Sequence, residues 1–164
     1  MGAGRNQLCD VQVDHEGNWT SSMVEREQSV AIADLLEENH FELVGRENGP
    51  YRLKLSTRGA KLSLRIETTD GDLIVSHIMS FSPFKRVIQD YIRICEAHFR
   101  AAASADPYRT EAIDMGRRAL HNAGSELLRE RLSSRVKTDL DTARRLFTLI
   151  IAPYAVGSNL MDAV

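Results

Sequence analysis

Residues 111 to 129, EAIDMGRRALHNAGSELLR, carry Asp114, Arg117, Arg118, His121, Asn122 and Ser125 on what the spacing predicts to be one helix. At the helical turn angle, Ile113 and Leu120 centre the apolar arc, Arg117 falls inside it and His121 lies at its edge. A guanidinium and an imidazole one turn apart can grip an oxyanion and handle a proton near neutral pH. Arg144, bordering the apolar arc of the last predicted helix, is placed to join them, and Arg118 and Asn122 extend the polar set. The competing reading is structural, and it is the one favoured here. Each arginine stem covers apolar surface while its head pairs with a carboxylate such as Asp90, Asp114 or Asp139. Gly116 and Gly124 lie near the same side, where each costs about 1 kcal/mol against Ala, which predicts close approach of a helix or a ligand.

His77 is the other imidazole of interest. It shares a strand face with Val75 and Met79, opposite Ile74 and Ile78, and the alternation does not say which face is core. A hydrogen-bonded core or edge histidine is the favoured reading and a site residue facing the helices the other. His98, spaced to lie with Tyr91, Cys95 and Ala102, reads as core packing, and Cys95 as a small buried hydrophobe. Glu25, Glu27, Asp34, Glu37 and Glu38 make the first helix acidic, best read as a solvated face. Trp19 sits in a polar loop, free to anchor a partner or to cover a sheet edge. No nucleophile elbow, phosphate loop, dinucleotide fingerprint or zinc-binding spacing occurs, so neither cofactor nor metal is called for.

The elements that must position these residues are legible from periodicity. Residues 8 to 14 alternate Cys9, Val11 and Val13 against Asp10, Gln12 and Asp14, predicting a short strand. Ser22 and Glu25 have capping-box spacing for a helix to about Glu38. Three strands follow, 51 to 57, 61 to 68 and 73 to 81, as an antiparallel meander. Asp70-Gly71 predicts a type I′ hairpin turn, and Gly59 a similar turn in the preceding loop. Ser82-Pro83 is expected to cap and open a helix to about Ala103. Asp106-Pro107 starts the next, to Leu132, and a last helix from Asp139 to Ile151 is expected to end at Pro153. The order predicts an α+β fold: a mainly antiparallel sheet, three-strand meander plus N-terminal strand, with four helices, three of them C-terminal and packed on one sheet face. Residues 1 to 164 read as a single domain, with 157 to 164 a frayed tail.

Composition narrows the partners. A net charge of -2 argues against nucleic acid bound through the whole surface. Residues 1 to 81 carry 8 basic and 13 acidic side chains and residues 82 to 164 carry 13 and 10, an acidic front and a mildly basic back. Two cysteines without metal spacing fit a reduced compartment. No apolar run approaches the ~20 residues that span a bilayer, so a cytoplasmic protein without a membrane partner is expected. The motif reading leaves a non-catalytic binding or adaptor protein, with a protein partner or a second copy of itself. The alternative is an enzyme or sensor holding a small anionic metabolite between Arg117, His121, Arg144 and His77.

Four strings carry a further signal: IDMGRRALHNAGS from Ile113 to Ser125, DTARRLFTL from Asp141 to Leu149, AIADLLEEN from Ala31 to Asn39, and GPYRLKLS from Gly49 to Ser56. Through them most of the chain resembles a bacterial family, uncharacterised protein family two hundred and sixty-two, while residues 153 to 164 lie outside the resemblance. The resemblance implies a small intracellular protein, mainly alphaproteobacterial, and brings with it no activity and no site residues.

Overall fold

The computed structural model describes residues 4–15, 22–46, 49–103 and 106–155. Trp19 and the 157 to 164 tail lie outside the described residues, as does the side chain of Ser22, the anticipated cap. The order is β1 (Leu8–His15), α1 (Ser22–Glu37), β2 (Phe41–Leu43), β3 (Tyr51–Arg58), β4 (Lys61–Glu67), β5 (Leu73–Ser80), a 3₁₀ turn (Ser82–Phe84), α2 (Lys85–Ala102), α3 (Pro107–Leu132), β6 (Val136–Thr138) and α4 (Leu140–Ala155). The fold is α+β, as the element order predicts.

The main sheet runs β1-β3-β4-β5. The β3-β4 and β4-β5 pairs are antiparallel, whereas β1 lies parallel to β3. A parallel neighbour needs a crossover, and α1 supplies it, so the front of the chain is one strand-helix-strand unit hidden in a mainly antiparallel sheet. Register puts Leu55, Leu64 and His77 in one row and Leu53, Ile66 and Val75 in another; these form the face turned to the helices. Behind them Phe84, Ile88, Leu128, Phe147 and Ile150 complete the core. The opposite face carries Arg52, Lys54, Ser56, Ser63 and Arg65 in the intervening positions. Two three-residue strands, β2 and β6, pair antiparallel as a second small sheet. They are too short for alternation to announce them.

Four local expectations are corrected. In β1 the register slips between Leu8 and Asp10, so Leu8 rather than Cys9 joins Val11 in the core. The backbone at this bulge is satisfied by buried Asn39, whose Oδ1 accepts from Leu8 N–H at 2.7 Å and whose Nδ2 donates to Leu8 O at 3.1 Å and Leu35 O at 2.8 Å. The β4-β5 turn is not type I′: Gly71 N–H donates to Thr68 O, and Gly71 alone has positive φ, +90°, while Asp70 does not. The wider loop spares Asp70 the left-handed region. Ser82 does not cap a helix, because Pro83 sits in a 3₁₀ turn preceding α2 and no side chain caps either element. Pro153 lies inside α4, which continues to Ala155. Asp106 does cap α3, accepting from Tyr108 and Arg109 N–H at 3.1 and 3.3 Å.

Candidate functional site

The long helix α3 is buried only over its second half, at Gly124, Ser125, Leu128 and Leu132. Its glycines mark helix contacts. A β-carbon on Gly124 would collide with the ring of Phe147 from α4, and one on Gly116 would sit 2.6 Å from Ile94 Cδ1 of α2. Close approach of α2 and α4 to α3 is what encloses the polar residues between them.

Arg117 and His121 lie in that seam and both have protein partners. Arg117 Nη2 donates to Asp114 Oδ1 at 2.6 Å, and Arg118 Nη2 stands 3.0 Å from Asp114 Oδ2, so one carboxylate serves two guanidinium groups one turn along α3. The hydrogen bond from Arg117, with the charges of Arg117, Arg118 and His98, holds the Asp114 carboxyl below its ordinary range. The Arg117 side chain also reaches the Tyr91 hydroxyl, while its Nε is buried without a hydrogen-bond partner among the described residues. Burial pushes the Tyr91 phenol up to about 12 and raises the neighbouring Cys95 thiol.

His121 is boxed by aromatic rings, edge-on to Tyr91 at 5.9 Å and to Phe147 at 5.3 Å between centroids. Thr148 Oγ1 donates to Arg144 O at 3.0 Å, which uses its one proton; at 2.9 Å His121 Nε2 is therefore the donor to Thr148 Oγ1. The proton sits on Nε2 and Nδ1 is bare, with Ser125 Oγ 3.5 Å away and itself donating to His121 O at 2.7 Å. Burial, then the charges of Arg144 and Arg117, lower the His121 pKa to about 4. The ring is neutral throughout the physiological range.

The remaining sequence candidates are placed differently. Arg144 lies close enough for its charge to act on His121, but its head pairs with Asp141 at 3.5 Å on the surface. Arg118 is 72 % exposed and Asn122 is exposed. His77 does not join this cluster. It faces the helices from β5 and accepts at Nδ1 from Arg135 Nη1 at 2.8 Å, in the turn between α3 and β6, and burial and that guanidinium lower its pKa. Of the groups that decide the state of His121, Tyr91 and Phe147 are legible from periodicity as buried residues of their helices, but their contacts with His121, and Thr148 altogether, escape sequence reasoning. The signal for Thr148 is its place four residues after Arg144 on the same helix face. Thr148 also borders a groove of about 400 Å³ between α1 and α4, with Arg26, Glu27, Asp34 and Arg145 on its walls. Among the described residues no three His, Cys, Asp or Glu side chains gather as a metal would require, and no helix is long and apolar enough to cross a membrane.

The chain matches the Uncharacterised protein family (UPF0262) over residues 5–155. Relatives include a UPF0262 protein of Rhizobium meliloti, 52% identical over 158 residues, and one of Rhizobium etli, 49% identical over 157 residues; each alignment covers 96% of this chain and all of the relative. A UPF0262 protein of Brucella canis is 49% identical over 145 residues, 88% of this chain and 91% of the relative. No solved structure matches the chain. None of these names assigns an activity, and a match running through α1, the whole sheet and all three C-terminal helices places this chain in the UPF0262 family.

Proposed function

We propose that this protein is a non-catalytic binding protein that works as a homodimer joined across β5. The observation that carries the reading is the composition of that edge. Strand β5, LIVSHIMS, ends the sheet among the described residues, runs eight residues and contains no Asp, Glu, Lys, Arg or Pro. Leu73 and Ile78 on it are 50 % and 62 % exposed. Soluble proteins ordinarily guard a free edge with charge, proline or cover, because its unpaired N–H and C=O groups template another strand.

A second copy is the occupant that fits. Antiparallel self-pairing of an uncharged strand sets no like charges opposite one another, and its two-fold symmetry closes the assembly at two. The other edge, β1, carries Asp10 and Asp14, so head-to-tail stacking of β5 on β1 is opposed by the polarity it would leave against an apolar strand. The helical cluster supports the non-catalytic half of the reading: His121 is neutral and hydrogen-bonded, Cys95 is held as the thiol, and Arg117 is paired. Sedimentation equilibrium tests the proposal. The wild-type protein is expected as a dimer and Ile78→Lys, at a position exposed in the monomer, as a folded monomer. A monomeric wild type at high micromolar concentration, or a dimer indifferent to Ile78→Lys, overturns it.

A second reading has one observation in its favour. Buried Arg117 Nε has no partner among the described residues, a donor that a small anion held near Arg117, His121 and Arg144 would satisfy. Thermal stability against a panel of carboxylates and phosphates tests it: a shift abolished by Arg117→Gln supports the site, and a panel without shifts removes it.

A further inference from the structure

The open face of the sheet holds a depression of about 410 Å³. Its floor is a matter of register. Gln12, Lys54, Arg65 and Ser76 form one row across all four strands, and Ser56 and Ser63 are directly paired in the row beside it. Small hydroxyl side chains in the middle of a sheet, flanked by long cationic ones, leave a hollow whose bottom is made of donors. Gln12, Ser56, Ser63 and Ser76 engage in no side-chain hydrogen bond among the described residues.

The two cations are anchored from the adjacent row, where Glu67 pairs in register with Arg52. Glu67, its side chain only 3 % exposed, accepts from Arg65 Nε at 2.7 Å and lies 3.7 Å from Lys54 Nζ. A carboxylate that takes Arg65 through Nε leaves both terminal nitrogens of that guanidinium free to serve another acceptor. The other carboxylates of this face are occupied, Asp10 with Arg52 at 3.4 Å and Asp14, which lines the depression beside Ser56, with Arg58 at 3.5 Å, and Lys61 adds a further cation. Five cations therefore share this face with three carboxylates, one of them buried, and two of the five, Lys54 and Arg65, line the depression beside the hydroxyl floor.

We infer that this depression is a binding site for a tetrahedral oxyanion of the phosphate class, held by Arg65 and Lys54 and seated on the Ser56, Ser63, Ser76 and Gln12 side chains. A tetrahedral anion offers acceptors on all sides, which suits one guanidinium edge, one ammonium and several hydroxyl donors on neighbouring strands. The inference stands on one protomer's sheet face and is independent of whether β5 pairs with a second copy. It is also separate from the Arg117 seam, which lies among the helices on the other side of the sheet.

Two probes at matched ionic strength test it: inorganic phosphate and adenosine monophosphate, titrated into the full chain by calorimetry with amide chemical shifts recorded alongside. Saturable binding of either, with shifts centred on β3 and β4, is the expected result. Binding of both assigns the site to the free anion and its esters, and binding of the nucleotide alone assigns it to a phosphomonoester. Removing Arg65 would strand Glu67, so the decisive variant is Ser56→Val with Ser63→Val, which fills the hollow and leaves the ion pairs intact. Its dissociation constant is expected to rise by about tenfold or more, a loss of ~1.4 kcal/mol, with Arg117→Gln unchanged. Absence of saturable binding of either probe, or binding that the double valine variant retains at full strength, overturns the inference.

Discussion

Replacing His121 by Gln isolates a pH dependence that burial builds into the helical seam. In the folded protein the ring stands between Tyr91 and Phe147 with Nδ1 bare. The charged groups acting on it are Arg144 from α4 and Arg117 from its own helix, both repelling an imidazolium, while Tyr91 from α2 faces it as a neutral phenol. Its pKa accordingly falls from 6.5 to about 4. The unfolded chain therefore takes up the proton first as pH drops. Stability from this residue is complete above the unfolded pKa and is lost as pH falls toward the folded one. The whole interval corresponds to about 3 kcal/mol, reduced to ~2 kcal/mol because the ring is partly open to solvent. The side-chain amide introduced by His121→Gln would keep a donor for Thr148 and cannot titrate. In urea unfolding between about pH 7 and about pH 4.5, the wild type is expected to lose ~2 kcal/mol from this residue, and His121→Gln to show only the smaller decline contributed by His77, whose pKa is also lowered. The window stops where Asp114 and Glu67, both held low by their arginines, begin to matter. If the variant declines as steeply as the wild type, the account of a buried neutral His121 is refuted.

The two helix glycines separate a rigid neighbour from a yielding one. Gly124→Ala drives a β-carbon into the fully buried Phe147 ring and is expected to cost ~1–3 kcal/mol in chemical unfolding despite the better helix former, whereas Gly116→Ala meets only the end of Ile94 and should fall within ~1 kcal/mol of neutral. Asn39→Ala strands the N–H and C=O of Leu8 beside the β1 bulge, an expected loss of ~2–3 kcal/mol that also raises amide exchange at Leu8. Asp106→Ala removes the cap of α3 and should cost ~1 kcal/mol, with exchange accelerated first at Tyr108 and Arg109.

Alternation made the meander legible because Leu53, Leu55, Leu62, Leu64 and Ile66 each answer a partner across the ladder, and one buried face demands strict period two. Asp106-Pro107 was equally readable, since capping chemistry is local. What failed was non-local. The parallel seat of β1 depends on where α1 returns the chain, and the three residues of β2 and of β6 acquire meaning only against each other. Arg117 shows the same limit within a site. Its spacing from Asp114 and Arg118 is written in the helix, yet its contacts with Tyr91, and the donor state of His121 set by Thr148, come from two other helices that no spacing in α3 encodes.

The edge and the open face are linked by symmetry. Edge-to-edge pairing of two antiparallel β5 strands places the two-fold axis perpendicular to the sheet, which keeps both helical layers on one side and both open faces on the other. The hydroxyl-floored depressions of the two protomers then share one continuous surface, with Ser76 of each lying on the strand at the seam. Such a surface would bind a ligand carrying two phosphate groups by both protomers at once, so its second contact forms at the effective concentration set by the ligand's own length. Ile78→Lys therefore discriminates: Ile78 stands opposite Ser63 on the open face, so the added ammonium should hold or raise the affinity for inorganic phosphate while abolishing the gain that a bisphosphate draws from bridging the seam. Equal loss of both would mean that the depression itself requires the dimer, and retention of the bridging gain by a monomeric variant would contradict the shared surface.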